Sequence, residues 1–323
     1  MSVNLIPSSG YADRMKNEVE PFLFERGGEN YMNSFKGGKL HYYVFKADKP
    51  KGGVVISHGF TECAEKFFEM MYYFLNEGLN VYAIDHRGHG KSLRQGDVTD
   101  YVYIDKFDDY VTDFRAFVKD VAVAENGGLP LYLYAHSMGG AVGVLYLQEY
   151  ECEYFDKAVL TAPMIYCNTA NMPHFVTGAL CGTLNLLGKS KSKVPGGKGF
   201  NPGRSWKTSN ATSQERFEYW HAKRIDNVCY QPSVATNKWV WESIRICPLM
   251  LSKKRCQSIK IPVLLCQAEV DGSVIPEKHN EFIKLVPDGE LVRFENSKHE
   301  IYLSVDETLE KYLDTIFGFI RGK

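Results

Sequence analysis

The sequence predicts an α/β fold with a mostly parallel central sheet, helices on both faces and an inserted cap. Three observations predict it. Short apolar runs rich in Val, Ile and Leu alternate with stretches of helical periodicity, and such alternation builds parallel sheets covered on both faces. The alternation comes in two blocks, separated by a segment from Pro163 to about Pro248 where it breaks. One run, Leu131-Tyr132-Leu133-Tyr134, leads into Ala135-His136-Ser137-Met138-Gly139 and at once into a helical pattern from Ala141 to Leu147. A serine therefore sits at the apex of a strand–turn–helix. The expected division is residues 1–162 as the first part of the core, 163–248 as the cap and 249–323 as the second part of the core.

Taken in order, Leu40–Phe45 and Gly53–Ser57 read as strands, Ala64–Asn76 as a helix and Leu79–Ile84 as a buried strand. Phe107, Tyr110, Val111, Phe114, Phe117, Val118 and Val121 recur at helical spacing, so Ile104–Ala124 reads as a long amphipathic helix. The serine turn and its helix follow, then a strand at Ala158–Thr161. Alternation resumes with a strand at Ile261–Cys266, a helix near Pro276–Leu285, a strand at Leu291–Phe294 and a last helix at Val305–Ile320. Inside the break, Thr177–Leu187 and Gln214–Ala222 are helical candidates, and Trp206, Trp220, Trp239 and Trp241 all fall there.

Composition narrows the class. The 323 residues are 44% hydrophobic and 24% charged, which suits one large core or two small ones. A net charge of −1 gives no reason to expect a nucleic-acid partner. No stretch approaches the roughly 18 consecutive apolar residues of a membrane span. Met1–Arg26 is polar and mixed in charge, without the apolar centre of a signal peptide. The expectation is a soluble, cytoplasmic protein. The eight cysteines form no Cys-x-x-Cys pair and have no His-rich partner cluster, so neither a zinc site nor a disulfide framework is expected.

Serine acyl transfer needs a nucleophile, a base and an acid that orients the base. Ser137 is the candidate nucleophile. A serine pushed out on such a turn needs small residues two before and two after it, and here they are Ala135 and Gly139. His299 is the candidate base, because it follows the Leu291–Phe294 run and precedes the last helix. His279, the other late histidine, falls inside a helical pattern and reads as a surface residue. Asp271, in an Asp-Gly turn beyond the Ile261–Cys266 run, is the candidate acid, with Glu269 in reserve; an aspartate there also suits capping of its own turn. The negative oxygen formed on attack needs preorganised donors. The backbone N–H groups of Met138 and of Phe60, in His58-Gly59-Phe60 after the Gly53–Ser57 run, are the candidates, while His58 suits a structural hydrogen bond. Asp85-His86-Arg87-Gly88-His89-Gly90-Lys91-Ser92 alternates glycines like a phosphate loop, but no helix opens at Lys91-Ser92. It reads as a structural turn under the nucleophile, with Asp85 and Arg87 as an internal ion pair.

In this order these features resemble the α/β-hydrolase superfamily, and within it the lysophospholipase and monoacylglycerol lipase family. The residues that carry the resemblance are His58-Gly59-Phe60, Asp85 to Ser92, Ala135 to Gly139, Asp271 with Val274, and Lys298-His299-Glu300, spread over residues 40 to 320. Phe107 to Val111 and Asn210 to Ser213 are similar to the bacterial inner-membrane lysophospholipase subgroup. The departure is Ala135, where the family pattern has glycine. The resemblance implies the α/β-hydrolase fold and hydrolysis of an acyl ester on a glycerol or lysophospholipid through an acyl-enzyme. It implies no metal and no organic cofactor. Proline iminopeptidase-like, general carboxylesterase and acyltransferase activities are the neighbouring chemistries, and a binding module on the same scaffold is the non-enzymatic one.

One further pattern bears on substrate. Lys157 to Gln214 contains no Asp or Glu, yet carries Lys157, Lys189, Lys191, Lys193, Lys198, Arg204 and Lys207, with the apolar stretch Phe175–Leu187 beside them. Lys189, Lys191 and Lys193 are the candidate substrate-binding residues. A basic loop next to apolar walls suits an acyl chain joined to a phosphate, or peripheral docking on the anionic inner face of a membrane. The glycines and prolines between Lys189 and Arg204 equally suit a plain solvated loop.

Overall fold

The computed structural model describes residues 4–170 and 172–322. The strands are β1 (Gly27–Asn33), β2 (Lys39–Phe45), β3 (Gly52–Ser57), β4 (Leu79–Ile84), β5 (Tyr101–Val102), β6 (Leu131–His136), β7 (Lys157–Thr161), β8 (Val234–Ala235), β9 (Val263–Val270) and β10 (Gly289–Lys298). Eight of them form one sheet in the order β1-β2-β4-β3-β6-β7-β9-β10, and β5 pairs with β8 apart from it. The β1–β2 and β2–β4 pairs are antiparallel, and every pair from β4 to β10 is parallel. The chain steps from β3 outward to β4, then crosses back to place β6 on the other side of β3. Loops leaving β3 and β6 therefore diverge and open a crevice at their carboxyl ends, where ligands of such sheets bind.

Alternate strand residues feed two separate cores. Val55, Tyr82, Leu133, Leu160 and Leu265 point to one face, among Phe114, Val142, Leu145 and Ile246. Val54, Val81, Tyr134, Val159 and Leu264 point to the other, among Met71, Phe74, Leu313 and Phe317. Burial on both faces is why β3 and β4 read as unbroken apolar runs.

Several elements differ from the sequence reading. Edge strand β1 has no apolar alternation because most of its side chains are solvent-exposed. Residues 11–24, read only as polar, are helical. Tyr11, Met15, Val19 and Leu23 lie four apart and all are buried. Four residues of α-helix overshoot a full turn by about 40°, so such a stripe winds off its partner. A π-helical turn at Met15–Val19 takes in an extra residue and keeps it in line. The helix expected from Ile104 starts at Asp108: Tyr101 and Val102 pair with β8, and the Phe107 N–H goes to the Glu242 carboxylate (3.1 Å) in place of a carbonyl one turn earlier. His279 is buried, not on the surface, and its Nε2 bonds the Pro163 carbonyl at 2.7 Å.

The chain between β7 and β9 carries helices His174–Leu186, Gln214–Asp226 and Asn237–Met250. The third was not visible in the sequence, although Thr236 caps it and Lys238 pairs with Glu242 one turn on. Gln214–Asp226 is fixed by Arg216, which is fully buried. Its guanidinium reaches Glu69 (3.0 Å), Asp306 (2.7 Å) and the Ile6 carbonyl (2.8 Å), while Tyr11 and Tyr73 hydroxyls also donate to Glu69. Arg216→Ala leaves Glu69 buried without its cation. The expected loss is about 3–5 kcal/mol in urea unfolding; a change below 1 kcal/mol would show that water replaces the guanidinium.

Candidate active site

Strand β6 ends at His136 and the Met138–Glu149 helix begins two residues later. Between them Ser137 adopts φ 52° and ψ −118°, a strained backbone for a residue with a Cβ. The hydroxyl is 8% exposed as part of its residue and faces His299. Gly139 is required at this turn: a Cβ there would lie 2.1 Å from the Ser57 carbonyl oxygen. Gly140 would strike Pro163 in the same way, at 2.6 Å. Ala135 has room for its methyl because Gly143, on the following helix, faces it without a side chain.

The structure brings Ser137, Asp271 and His299 together. His299 Nδ1–H donates to Asp271 Oδ2 at 2.6 Å, and Ser137 Oγ–H donates to His299 Nε2 at 2.8 Å. The tautomer follows from the carboxylate at Nδ1. Burial opposes a charge on His299, but the Asp271 carboxylate overrides it and raises the imidazole above its ordinary value. Burial likewise opposes the Asp271 charge. His299 and the N–H groups of Ser273 (2.8 Å) and Val274 (3.1 Å) override that and lower it. Asp271 thus caps its own turn with one oxygen and holds His299 with the other. The reserve carboxylate, Glu269, instead accepts the Asn296 N–H at 2.7 Å and braces the bulge in β10.

The Phe60 and Met138 N–H groups border this cluster, and neither has a hydrogen-bond partner among the described residues. Gly59 lets their loops approach, since a Cβ on it would come 3.0 Å from Ser137 Cβ. His58 is structural: Nδ1–H donates to the Gly59 carbonyl and Nε2 accepts the His86 N–H.

The profile of the family described as Hydrolase_4, serine aminopeptidase S33, matches residues 48–306. The chain belongs to this family of serine hydrolases. It is 30% identical over 297 residues to lysophospholipase L2 of Escherichia coli, covering 87% of this chain and 84% of that one. It is 33% identical over 160 residues to the monoacylglycerol lipase of Mycolicibacterium smegmatis, 49% of this chain and 53% of that one. The fold matches that of a monoglyceride lipase from Saccharomyces cerevisiae solved with a substrate analogue. The TM-score there is 0.75 at 18% identity, over 92% of this chain and 94% of the other.

Sequence reasoning missed the buried network behind this Hydrolase_4 site. Glu62 accepts the Gly59 N–H (2.6 Å) and the Tyr302 hydroxyl (2.6 Å), and pairs with Lys66 at 2.9 Å. Lys66 reaches Glu300, next to His299, at 2.9 Å. Its signal was the i,i+4 spacing of Glu62 and Lys66. The Asp85–Arg87 ion pair does not form. Asp85 takes His41 (2.8 Å) and the amides of Ala64 and Lys91. Arg87 donates to Asp113 at 2.7 Å and Ser34 at 2.9 Å, so each finds its partners on other elements.

Lys191 pairs with Asp97 at 2.9 Å, so the acid missing from the local sequence arrives from another loop. Lys189 and Lys193 line a shallow surface hollow with Asn237. No hydrogen bond or ion pair among the described residues links any of the three to Ser137, Asp271 or His299. Beside the site lies a cavity of about 260 Å³, lined by Cys167, Thr177, Leu180, Cys181, Trp239 and Val240 among others. Trp239 lies against Phe60 with centroids 4.2 Å apart and the rings tilted by 37°, so cavity and site share a wall.

Two predictions follow from this geometry. A base works when deprotonated, so raising His299 moves the acid limb of kcat/KM to a pH above the ordinary histidine value of about 6.5. Asp271→Asn should shift that limb downward and cut kcat by about 10⁴-fold; an unshifted limb would assign it to another group. Gly139→Ala should lower stability by about 1–3 kcal/mol or more in thermal melts, whereas Ala135→Gly should cost only about 0.5–1 kcal/mol.

Proposed function

We propose that this serine ester hydrolase cleaves the acyl ester of a lysophospholipid or monoacylglycerol. The carrying observation is the unbroken Asp271–His299–Ser137 hydrogen-bond chain beside two unpartnered amides, with an apolar cavity sharing the Phe60–Trp239 wall. In this reading His299 Nε2 takes the Ser137 proton as Oγ attacks the acyl carbonyl. Asp271 holds the imidazolium, and the Phe60 and Met138 N–H groups bind the negative oxygen. Return of the proton to the leaving glycerol oxygen yields the acyl-enzyme. Water, deprotonated by His299, then releases the fatty acid and regenerates Ser137.

Residues 163–248 act as the cap in this reading, and the cavity beneath the His174–Leu186 helix takes the acyl chain. Among the described residues no Asp or Glu lines that cavity, which disfavours a peptidase that must hold a free amino group. The outer side of the same helix supports contact with lipid. Phe175, Leu186 and Leu187 are 79%, 91% and 68% exposed, and Val176 is exposed beside Phe175. An outward apolar helix followed by Lys189, Lys191 and Lys193 fits peripheral docking on an anionic membrane surface.

A fluorophosphonate probe should label Ser137, identified by mass spectrometry of the peptide. Labelling should vanish in Ser137→Ala and hydrolysis should fall by about 10⁵–10⁶-fold. Full labelling at another residue would remove the assignment. Replacing Lys189, Lys191 and Lys193 together by Gln should weaken lysophospholipid turnover more than monoacylglycerol turnover. Equal effects would show that these lysines do not read the phosphate.

A further inference from the structure

The cysteines show no metal spacing in sequence, yet folding brings two of them to one histidine. Cys167 lies in the loop after β7, His174 opens the His174–Leu186 helix, and Cys247 lies on Asn237–Met250. Their ligand atoms all fall within 4.8 Å of one another. Cys167 Sγ is 3.7 Å from His174 Nε2, and the Cys247 thiol donates to the Ser243 carbonyl at 3.2 Å. Zinc bonds of about 2.3 Å to sulfur and 2.0–2.1 Å to nitrogen set tetrahedral ligands about 3.5–3.8 Å apart, so this spacing needs little adjustment.

Two further facts favour a site over three packed side chains. The His174 ring is already oriented: it stacks on Tyr166 at 3.8 Å between centroids, 7° from parallel. Its Nε2–H donates to the Cys167 carbonyl at 2.8 Å, so metal binding at this nitrogen requires that bond to break and the proton to move to Nδ1. Ser243, one turn before Cys247, lines the cavity and its buried hydroxyl has no partner among the described residues. A buried hydroxyl without a partner, on the turn before Cys247, is available to a water bound there.

We propose that Cys167, His174 and Cys247 form an inhibitory site for Zn²⁺ in the wall of the cavity. Two sulfurs and an imidazole suit zinc rather than a hard cation. Bound metal would tie the loop after β7 and the start of the His174–Leu186 helix to Asn237–Met250. These are walls of the cavity assigned above to the acyl chain, so the inhibitory effect rests on that reading while the binding does not.

The test is optical first. Chelator-treated protein titrated with Co²⁺ should take up one equivalent, giving thiolate-to-cobalt charge-transfer absorption that stoichiometric Zn²⁺ displaces. Cys167→Ser and Cys247→Ser should each abolish the band. His174→Ala should weaken Co²⁺ binding by more than the roughly 10–100-fold typical of losing an outer-sphere partner. Cys181→Ser, in the same cavity, should keep the band. Circular dichroism and fluorophosphonate labelling would show that the variants fold. Absence of the band, or its survival in the Cys167→Ser/Cys247→Ser double variant, would overturn the site. Zn²⁺ at saturating occupancy should suppress long-chain ester turnover, reversibly by chelator and not in Cys247→Ser. Unchanged turnover would overturn inhibition alone.

Discussion

Ser137 holds a backbone conformation that costs about 1–3 kcal/mol for an L-residue, and its surroundings leave the turn no other course. Gly139 lies so close to the Ser57 carbonyl that no side chain fits, Gly140 meets Pro163, and Gly59 meets Ser137 itself. Three loops, after β3, β6 and β7, are thereby pressed into one volume. The Ser137 N–H bonds the Thr161 carbonyl at 3.1 Å, and the Met164 N–H returns to the Ser137 carbonyl at 2.8 Å. The sheet order supplies the rest. Because β3 and β6 are neighbours at the point where the chain reverses direction across the sheet, Ser137 and the Phe60 amide come from adjacent strands and need no long loops to meet.

Electrostatics fixes what packing brings near. Glu62 grips the Gly59 amide and Lys66 carries that carboxylate's charge across to Glu300, the neighbour of His299. One buried cation thus joins the loop that carries Phe60 to the loop that carries His299. Buried ion pairs contribute little net stability against apolar replacements, so the value of this one lies in register. It sets where the β3 loop stands relative to the imidazole. His136, under His299 with ring centroids 4.9 Å apart, is held neutral by burial, at about 4, and adds no competing charge there.

The site was legible in sequence because its chemistry is local. Ser137, Asp271 and His299 each end a strand run, and the small residues around Ser137 are demanded by the turn. The core strands were legible because burial on both faces leaves continuous apolar runs. What stayed hidden depends on partners distant in sequence. The Tyr11–Leu23 stripe has a four-residue period that only a π-turn makes coherent. β1 owes its place to pairing with β2 rather than to an apolar pattern. Asp85 and Arg87 are near in sequence but find their partners at His41 and Asp113. The lysine-rich loop looked unopposed until the fold brought Asp97 to Lys191.

The segment between β7 and β9 is held unevenly, and this bears on how a substrate reaches Ser137. Gln214–Asp226 is pinned by Arg216 on Glu69 and Asp306, and by Lys223 on Glu65 and Glu20. The residues before it bond the His299 loop through the Leu303 carbonyl and the Glu300 N–H. Moving that helix would disturb the loop that carries His299. His174–Leu186 has no ion pair among the described residues, buries only Thr177 and Cys181, and turns apolar side chains outward. It packs closely on Asn237–Met250, where Gly182 faces Trp241, so access to the cavity beneath it requires a shift between these two helices. An apolar surface that receives Phe175 and Leu186 would lower the cost of that shift, and a tie between Cys167, His174 and Cys247 would raise it. The same hinge is therefore the place where lipid and metal would act in opposite directions, without either touching Ser137.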